Sequence, residues 1–149
     1  MIMTCEPNVT INVLLVDEDP STASLLSTAL IAAGFDVDVA GDLEDGVRNL
    51  GAHPPHIVVI DLRLPDIDGR KACRAIRLSS SVPIVALSAL DKPAAVASIL
   101  DAGADDCLVK PVPMAVLVAH LNKLARRTGA LLPSRRSEPD VRPATFRRA

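Results

Sequence analysis

Four short clusters, Asp17-Glu18-Asp19, Asp61, Ser88 and Lys110, each close an apolar run of the chain. Carboxylates are hard oxygen ligands suited to Mg²⁺, which keeps several waters and uses few protein groups. Asp17 and Glu18 at one strand end and Asp61 at another would form such an oxygen-rich pocket. A carboxylate can also act as a nucleophile toward a phosphoryl group, with a bound cation neutralising the incoming charge. Lys110 can then pair with the phosphate as a point charge, and the Ser88 hydroxyl can donate one hydrogen bond to it. Carboxylates crowded around a single ammonium repel one another, so a bound cation is the expected resolution.

Chemistry at these positions requires elements that bring them to one edge. Ile11 to Val16 reads as a strand ended by acids, followed by Asp19-Pro20, an N-cap with Pro at the first helical position. Leu25, Leu26, Ala29, Leu30 and Ala33 are expected on the buried face of that helix, which stops at Gly34. Phe35 to Ala40 alternates like a half-exposed strand, and Asp42 caps a short helix through Leu50. Between them and the next strand, His53-Pro54-Pro55-His56 turns the chain. Ile57 to Ile60 is continuously apolar, as a central parallel strand is, and ends at Asp61.

Pro65, Asp66 and Gly69 are expected to break the next loop, with a helix from about Gly69 to Leu78. Pro83 to Leu87 then forms a strand ending at Ser88, Asp91 to Ala102 a helix, Cys107 to Val109 a strand ending at Lys110, and Pro113 to Arg127 the last helix. Strict alternation of five strands and five helices predicts an α/β fold, a doubly wound parallel sheet with helices on both faces and right-handed crossovers. Open sheets of this kind place ligands at the carboxyl ends of their strands.

Composition narrows the function classes. The chain has 149 residues, 49% of them apolar, enough for one core of ordinary size. Its net charge of -2 conceals an acidic body, with 11 basic and 16 acidic side chains over residues 1–128, and a basic tail with 5 and 2 over residues 129–149. An acidic body argues against direct nucleic-acid binding by the body itself. Cys5, Cys73 and Cys107 are odd in number and widely spaced, which fits free thiols in a reducing compartment. With neither a leader-like amino terminus nor an apolar run of spanning length, the chain is expected to be cytoplasmic, with no membrane partner.

These residues carry a resemblance. Val13-Leu14-Leu15-Val16-Asp17-Glu18-Asp19-Pro20, the stretch from Ile57 through Asp61 to Gly69, Pro83-Ile84-Val85-Ala86-Leu87-Ser88-Ala89 and Gly103-Ala104-Asp105-Asp106-Cys107-Leu108-Val109-Lys110-Pro111 resemble the receiver domain of bacterial two-component response regulators. The match runs from residue 11 to about 127. It implies a flavodoxin-like strand order 2-1-3-4-5. It also implies a receiver over residues 11–128 after an N-terminal extension over 1–10, while the basic, Pro- and Arg-rich composition of 129–149 predicts a linker or a disordered tail.

By the same resemblance Asp61 accepts phosphate from a sensor histidine kinase or phosphotransfer protein. Asp17, Glu18, Asp61 and the backbone carbonyl of Arg63 surround Mg²⁺, and Ser88 and Lys110 bind the phosphoryl group. The Lys110-Pro111 bond is expected to be cis. Signalling would run through the face made by the fourth helix, fifth strand and fifth helix, by homodimerisation or docking. The protein is then a regulatory phosphoacceptor in a phosphorelay rather than an enzyme.

Departures from the pattern matter equally. Cys107 occupies the switch position where the family has an aromatic residue, which implies a muted or differently wired output. Gly103-Ala104-Asp105-Asp106 resembles the winged-helix branch of the family. Val116 and His120, interface candidates together with Asp106, stand where that branch carries an acid and an Arg for dimer salt bridges. The leading reading is a stand-alone receiver. Alternatives are a winged-helix transcription regulator lacking its DNA-binding domain and an unphosphorylated scaffold. An aspartyl-phosphate hydrolase is disfavoured because Arg63 replaces the second acid two residues after the nucleophile. Dinucleotide binding is disfavoured because no Gly-x-Gly-x-x-Gly follows the first strand.

Overall fold

The computed structural model describes residues 10–62 and 66–128, with residues 66–68 as backbone only. Five strands, β1 (Asn12–Val16), β2 (Asp36–Ala40), β3 (Ile57–Leu62), β4 (Ile84–Ser88) and β5 (Asp106–Val109), alternate with five helices. The helices are α1 (Pro20–Ala32), α2 (Leu43–Ala52), α3 (Asp66–Ser79), α4 (Pro93–Asp101) and α5 (Met114–Arg127). All strand pairings are parallel, in the order β2-β1-β3-β4-β5, as the resemblance implies.

Strand pleating sorts the apolar residues into two cores. Leu14, Val16, Val58, Ile60, Leu62, Ile84 and Ala86 pack with α2, α3 and α4 through Leu50, Cys73, Ile76 and Ile99. Val13, Leu15, Ile57, Val59, Val85 and Leu87 pack with α1 and α5 through Leu30, Leu117, Leu121 and Leu124. Every residue of β3 and β4 is buried, as central strands covered on both faces require.

Helix ends follow local chemistry. Pro20 and Pro93 begin α1 and α4, and the Asp42 side chain accepts from the Asp45 amide to cap α2. Gly34 and Gly103 adopt φ of +104° and +124°. After each, the next amide reaches back into the helix, Phe35 to the Leu30 carbonyl and Ala104 to the Ile99 carbonyl.

Three expectations are corrected. Leu25 is not on the buried face of α1: it is 74% exposed, and Ala23 and Leu30 are buried instead. That helix is apolar around most of its circumference, so periodicity does not fix its orientation. The third helix begins at Asp66 rather than Gly69. Gly69 lies inside it because the helix approaches β3 and α4 closely: a Cβ there would lie 2.8 Å from Leu62 Cδ1 and 2.9 Å from Ile99 Cδ1. Finally, β3 continues past Asp61 to Leu62, which pairs with Ser88. The basic tail, Cys5 and Arg63 lie outside the described residues.

Candidate functional site

Parallel register places the polar strand ends side by side. Val16 pairs with Ile60, Asp61 with Leu87, and Ser88 with Val109, so Asp17, Asp61, Ser88 and Lys110 lie along one edge. Beyond the last pairs, the Asp17 amide donates to the Ala40 carbonyl at 3.0 Å and the Lys110 amide to the Ser88 carbonyl at 2.8 Å. Alternation puts Asp17, Asp61 and Lys110 in the same pleat class as the α1–α5 core, whereas Ser88 belongs to the opposite class. The peptide between Lys110 and Pro111 is cis.

Among the described residues, Asp17, Asp61 and Ser88 are the buried polar side chains. Lys110 Nζ pairs with Asp61 Oδ1. Asp17 Oδ1 accepts from the Asp19 amide at 3.0 Å, and Asp19, at the N-cap position of α1, accepts from the Thr22 hydroxyl at 2.6 Å. The second oxygens, Asp17 Oδ2 and Asp61 Oδ2, are buried without a hydrogen-bond partner. Burial pushes the Asp17 carboxyl above its ordinary value, and the neighbouring Asp61 adds to the rise. The Asp19 amide and Lys110 oppose it.

Those two orphaned oxygens fit a divalent cation. Asp17 and Asp61 are the residues that would hold it. Glu18 stands apart: it is exposed and lines a depression with Asp42, Leu43 and Glu44. Among the described residues no three His, Cys, Asp or Glu side chains already form a metal cluster. Ser88 is held locally, its Oγ accepting from the Leu90 amide at 3.0 Å and donating to the Leu90 carbonyl at 3.3 Å.

Cys107 is half-buried against the core that holds Cys73. Burial raises both thiols, Cys73 to about 11, which disfavours thiolate chemistry at either. His120, an interface candidate on the last helix, is partly buried and pairs through Nδ1 with Asp106 Oδ2 at 2.9 Å. Lys123 approaches the same carboxylate at 3.9 Å. Val116, on the same helix, is 42% exposed. His56 is a structural link, its Nδ1 accepting from the Asn12 amide at 2.8 Å.

The family described as response regulator receiver domain matches residues 13–122. This chain belongs to that family. The receiver is 39% identical over 115 residues to the DNA-binding response regulator MtrA of Mycolicibacterium smegmatis, covering 77% of this chain and 50% of that protein. It is 37% identical over 116 residues to the transcriptional regulatory protein AfsQ1 of Streptomyces coelicolor, covering 78% of this chain and 52% of that one. The chain therefore spans about half the length of these curated relatives.

Among solved structures, the receiver domain of the Francisella response regulator 1452 matches with a TM-score of 0.74 and 30% identity, over 80% of this chain and 99% of that one. The BeF3-activated N-terminal receiver domain of Klebsiella pneumoniae RstA matches with a TM-score of 0.71 and 31% identity, over 77% and 98%. The receiver is thus a regulatory domain of the two-component type. No helix among its described residues is long and apolar enough to cross a membrane.

One feature of the site had no signal in the sequence. A cavity of about 490 Å³ adjoins Asp61 and Lys110 and is lined by Leu26, Leu87, Val112 and Leu117 among others. Apolar residues around a cavity read like any other core positions.

Proposed function

We propose that this receiver accepts a phosphoryl group on Asp61 from a sensor histidine kinase or phosphotransfer protein in the cytoplasm. The observation that carries this reading is the buried Asp17–Asp61 pair with two orphaned oxygens and Lys110 beside it. A bound Mg²⁺ would supply positive charge to offset the transferred phosphoryl oxygens. Asp17 Oδ2 and Asp61 Oδ2 would hold that ion, with Glu18 and the Arg63 carbonyl completing its surroundings directly or through water. Asp61 Oδ1 is then the attacking oxygen, and Lys110 moves from it to the phosphoryl group. Ser88 must give up its bond to the Leu90 carbonyl to donate to the phosphate, which links the site to the loop ahead of α4.

Output on this reading runs through α4, β5 and α5, by homodimerisation. Asp106 is already engaged within the chain by His120 and Lys123, and Val116 is exposed where the winged-helix branch carries an acid. The dimer contact is therefore centred on apolar surface rather than on ion pairs between copies. With Cys107 half-buried at the switch position, Ser88 carries the signal without an aromatic partner.

The test is incubation with phosphoramidate with and without Mg²⁺, reading intact mass and oligomeric state together, with Asp61→Ala as control. A Mg²⁺-dependent adduct absent from the control is expected, accompanied by a larger dimer fraction. No adduct on correctly folded protein would defeat the reading and leave a scaffold. A second reading, the receiver portion of a DNA-binding regulator, is favoured by relatives twice as long as the match. Sequencing the reading frame on both sides of this chain tests it.

A further inference from the structure

One side of the sheet is unpaired at β2, which bonds to β1 and to no other strand. Its Asp36 amide donates to the Ile11 carbonyl, and its Ala40 carbonyl accepts from the Asp17 amide, both at 3.0 Å. Backbone groups alternate in direction along a strand, so Asp36, Asp38 and Ala40 face β1. Val37 and Val39 turn their N–H and C=O groups outward, where no partner meets them among the described residues. Side chains alternate as well. Val37 packs toward the α1–α5 core, and Val39, in the same pleat class, is 44% exposed. Ile31 of α1, itself exposed, lines an open depression with Val37, Asp36 and Asp38. Asp36 and Asp38 share the opposite pleat class with Ala40; both are exposed, and neither has an ion-pair partner among the described residues.

This edge complements an extended segment that is apolar on one face and basic on the other. A second copy of the chain fits poorly: antiparallel pairing of two β2 edges sets Asp36 and Asp38 against the same acids, and like charges opposite one another destabilise a sheet. The chain's own tail fits better. Residues 129–149 carry 5 basic and 2 acidic side chains against an acidic body, and within them Ala144-Thr145-Phe146-Arg147-Arg148 contains neither proline nor acid. As a strand, this run would set Phe146 against Val37, Val39 and Ile31, and Arg147 against Asp36 and Asp38. Because α1 and α5 cover the same sheet face and both run antiparallel to the strands, the chain leaves α5 at the edge where β2 begins. Residues 129–143, extended, reach roughly 50 Å. Crossing one helix and two strand spacings takes about 20 Å.

We infer that residues 144–148 dock on the free edge of β2 as a sixth strand, bonded to the backbone of Val37 and Val39. The tether makes the docking intramolecular, so a weak strand pairing suffices to populate it.

The experiment is amide hydrogen exchange on the full, unphosphorylated chain, read by NMR at Val37 and Val39. A segment docked nine-tenths of the time slows exchange there about tenfold, and Phe146→Ser combined with Arg147→Glu should remove that protection. Arg147→Glu alone should remove part of it, and Asp38→Arg added to Arg147→Glu should restore that part. Unchanged exchange at Val13 and Val59, in the strands behind the edge, shows that each variant remains folded. Equal exchange at Val37 and Val39 in the parent and the Phe146 and Arg147 double variant would overturn the docking. Protection that rises with protein concentration would assign the edge to a second copy and overturn the tail as occupant. Failure of Asp38→Arg to restore protection would overturn the pairing of Arg147 with the β2 acids.

Discussion

At the amino-terminal edge of the sheet, the Arg77 guanidinium donates to the carbonyls of Ser80, Val82 and Gly103 at 3.2, 2.7 and 2.7 Å. It also meets Asp105 at 3.3 Å, and the same Asp105 oxygen accepts from the Ile84 amide at 2.8 Å. At the carboxyl-terminal edge, Lys110 pairs with one oxygen of Asp61, while the second oxygens of Asp61 and Asp17 have no partner. Both edges hold a cation against a carboxylate. One is closed by backbone groups from the α3–β4 loop, β4 and the α4–β5 turn, and the other is left open. Buried polar groups are nearly always satisfied, so on the proposed reading the open edge is where a bound cation would complete the arrangement, whereas the closed edge is completed within the chain.

That contrast is broken most directly at Arg77. Removing it leaves the Val82 and Gly103 carbonyls and the Asp105 carboxylate without their shared donor, so Arg77→Ala should destabilise the fold by about 3 kcal/mol in urea denaturation. Arg77→Lys should recover only part of this, because one ammonium cannot serve so many separated acceptors. Phosphoryl transfer to the folded fraction of either variant should stay within about twofold of the parent rate. A large fall in transfer without loss of stability would mean that the closed edge takes part in signalling chemistry.

A smaller effect is expected at the turn that Arg77 grips. Gly103 has φ +124°, and a Cβ there would lie 3.3 Å from Arg77 Nε, whereas Gly34 has φ +104° with open space around its Cβ position. Gly103→Ala should cost about 1–2 kcal/mol and Gly34→Ala somewhat less, both from a backbone conformation that alanine adopts poorly. The difference between the two melting shifts isolates the contact with Arg77. Equal shifts would show that Arg77 yields freely and that the closed edge is looser than its hydrogen bonds suggest.

The two edges were unequally legible in the sequence, for a physical reason. At the open edge Asp17, Asp61, Ser88 and Lys110 each follow a run of three or more apolar residues, and a polar residue closing such a run is a strong one-dimensional signal. The pattern therefore predicts Asp17, Asp61, Ser88 and Lys110 at one edge, and the resemblance supplies the strand order. At the closed edge Arg77 looks like any cation in the last turn of a helix, because its acceptors are carbonyls, which every residue possesses. The orientation of α1 was hidden because Leu25 and Ile31 are apolar yet exposed. Gly69 reads as a loop residue in the sequence because a glycine required by close packing and one required by a turn are the same letter. The cavity at Leu26 and Val112 depends on what is missing between side chains, which no residue type encodes.

Asp17 offers the finest test of the open edge, because there a stabilising substitution is expected. Asn at this position would keep the acceptor for the Asp19 amide, while its new amide group could donate to Asp61 Oδ2 and remove the charge beside that carboxylate. In metal-free buffer at neutral pH, Asp17→Asn should therefore raise stability by about 1 kcal/mol. The sign follows from the raised carboxyl, which binds its proton more tightly in the folded state than in the unfolded one. The cost of ionised Asp17 is thus absent below its ordinary value of 3.8 and grows as pH rises toward the folded value, above which it is constant. The advantage of Asn should follow the same course, vanishing in acid and reaching a plateau above the raised value. Mg²⁺ should reverse the ranking at neutral pH, stabilising the parent by mass action and the variant far less. If both proteins melt together at every pH and both ignore Mg²⁺, the orphaned oxygens are not a cation site, and the distinction between the two edges fails at its decisive point.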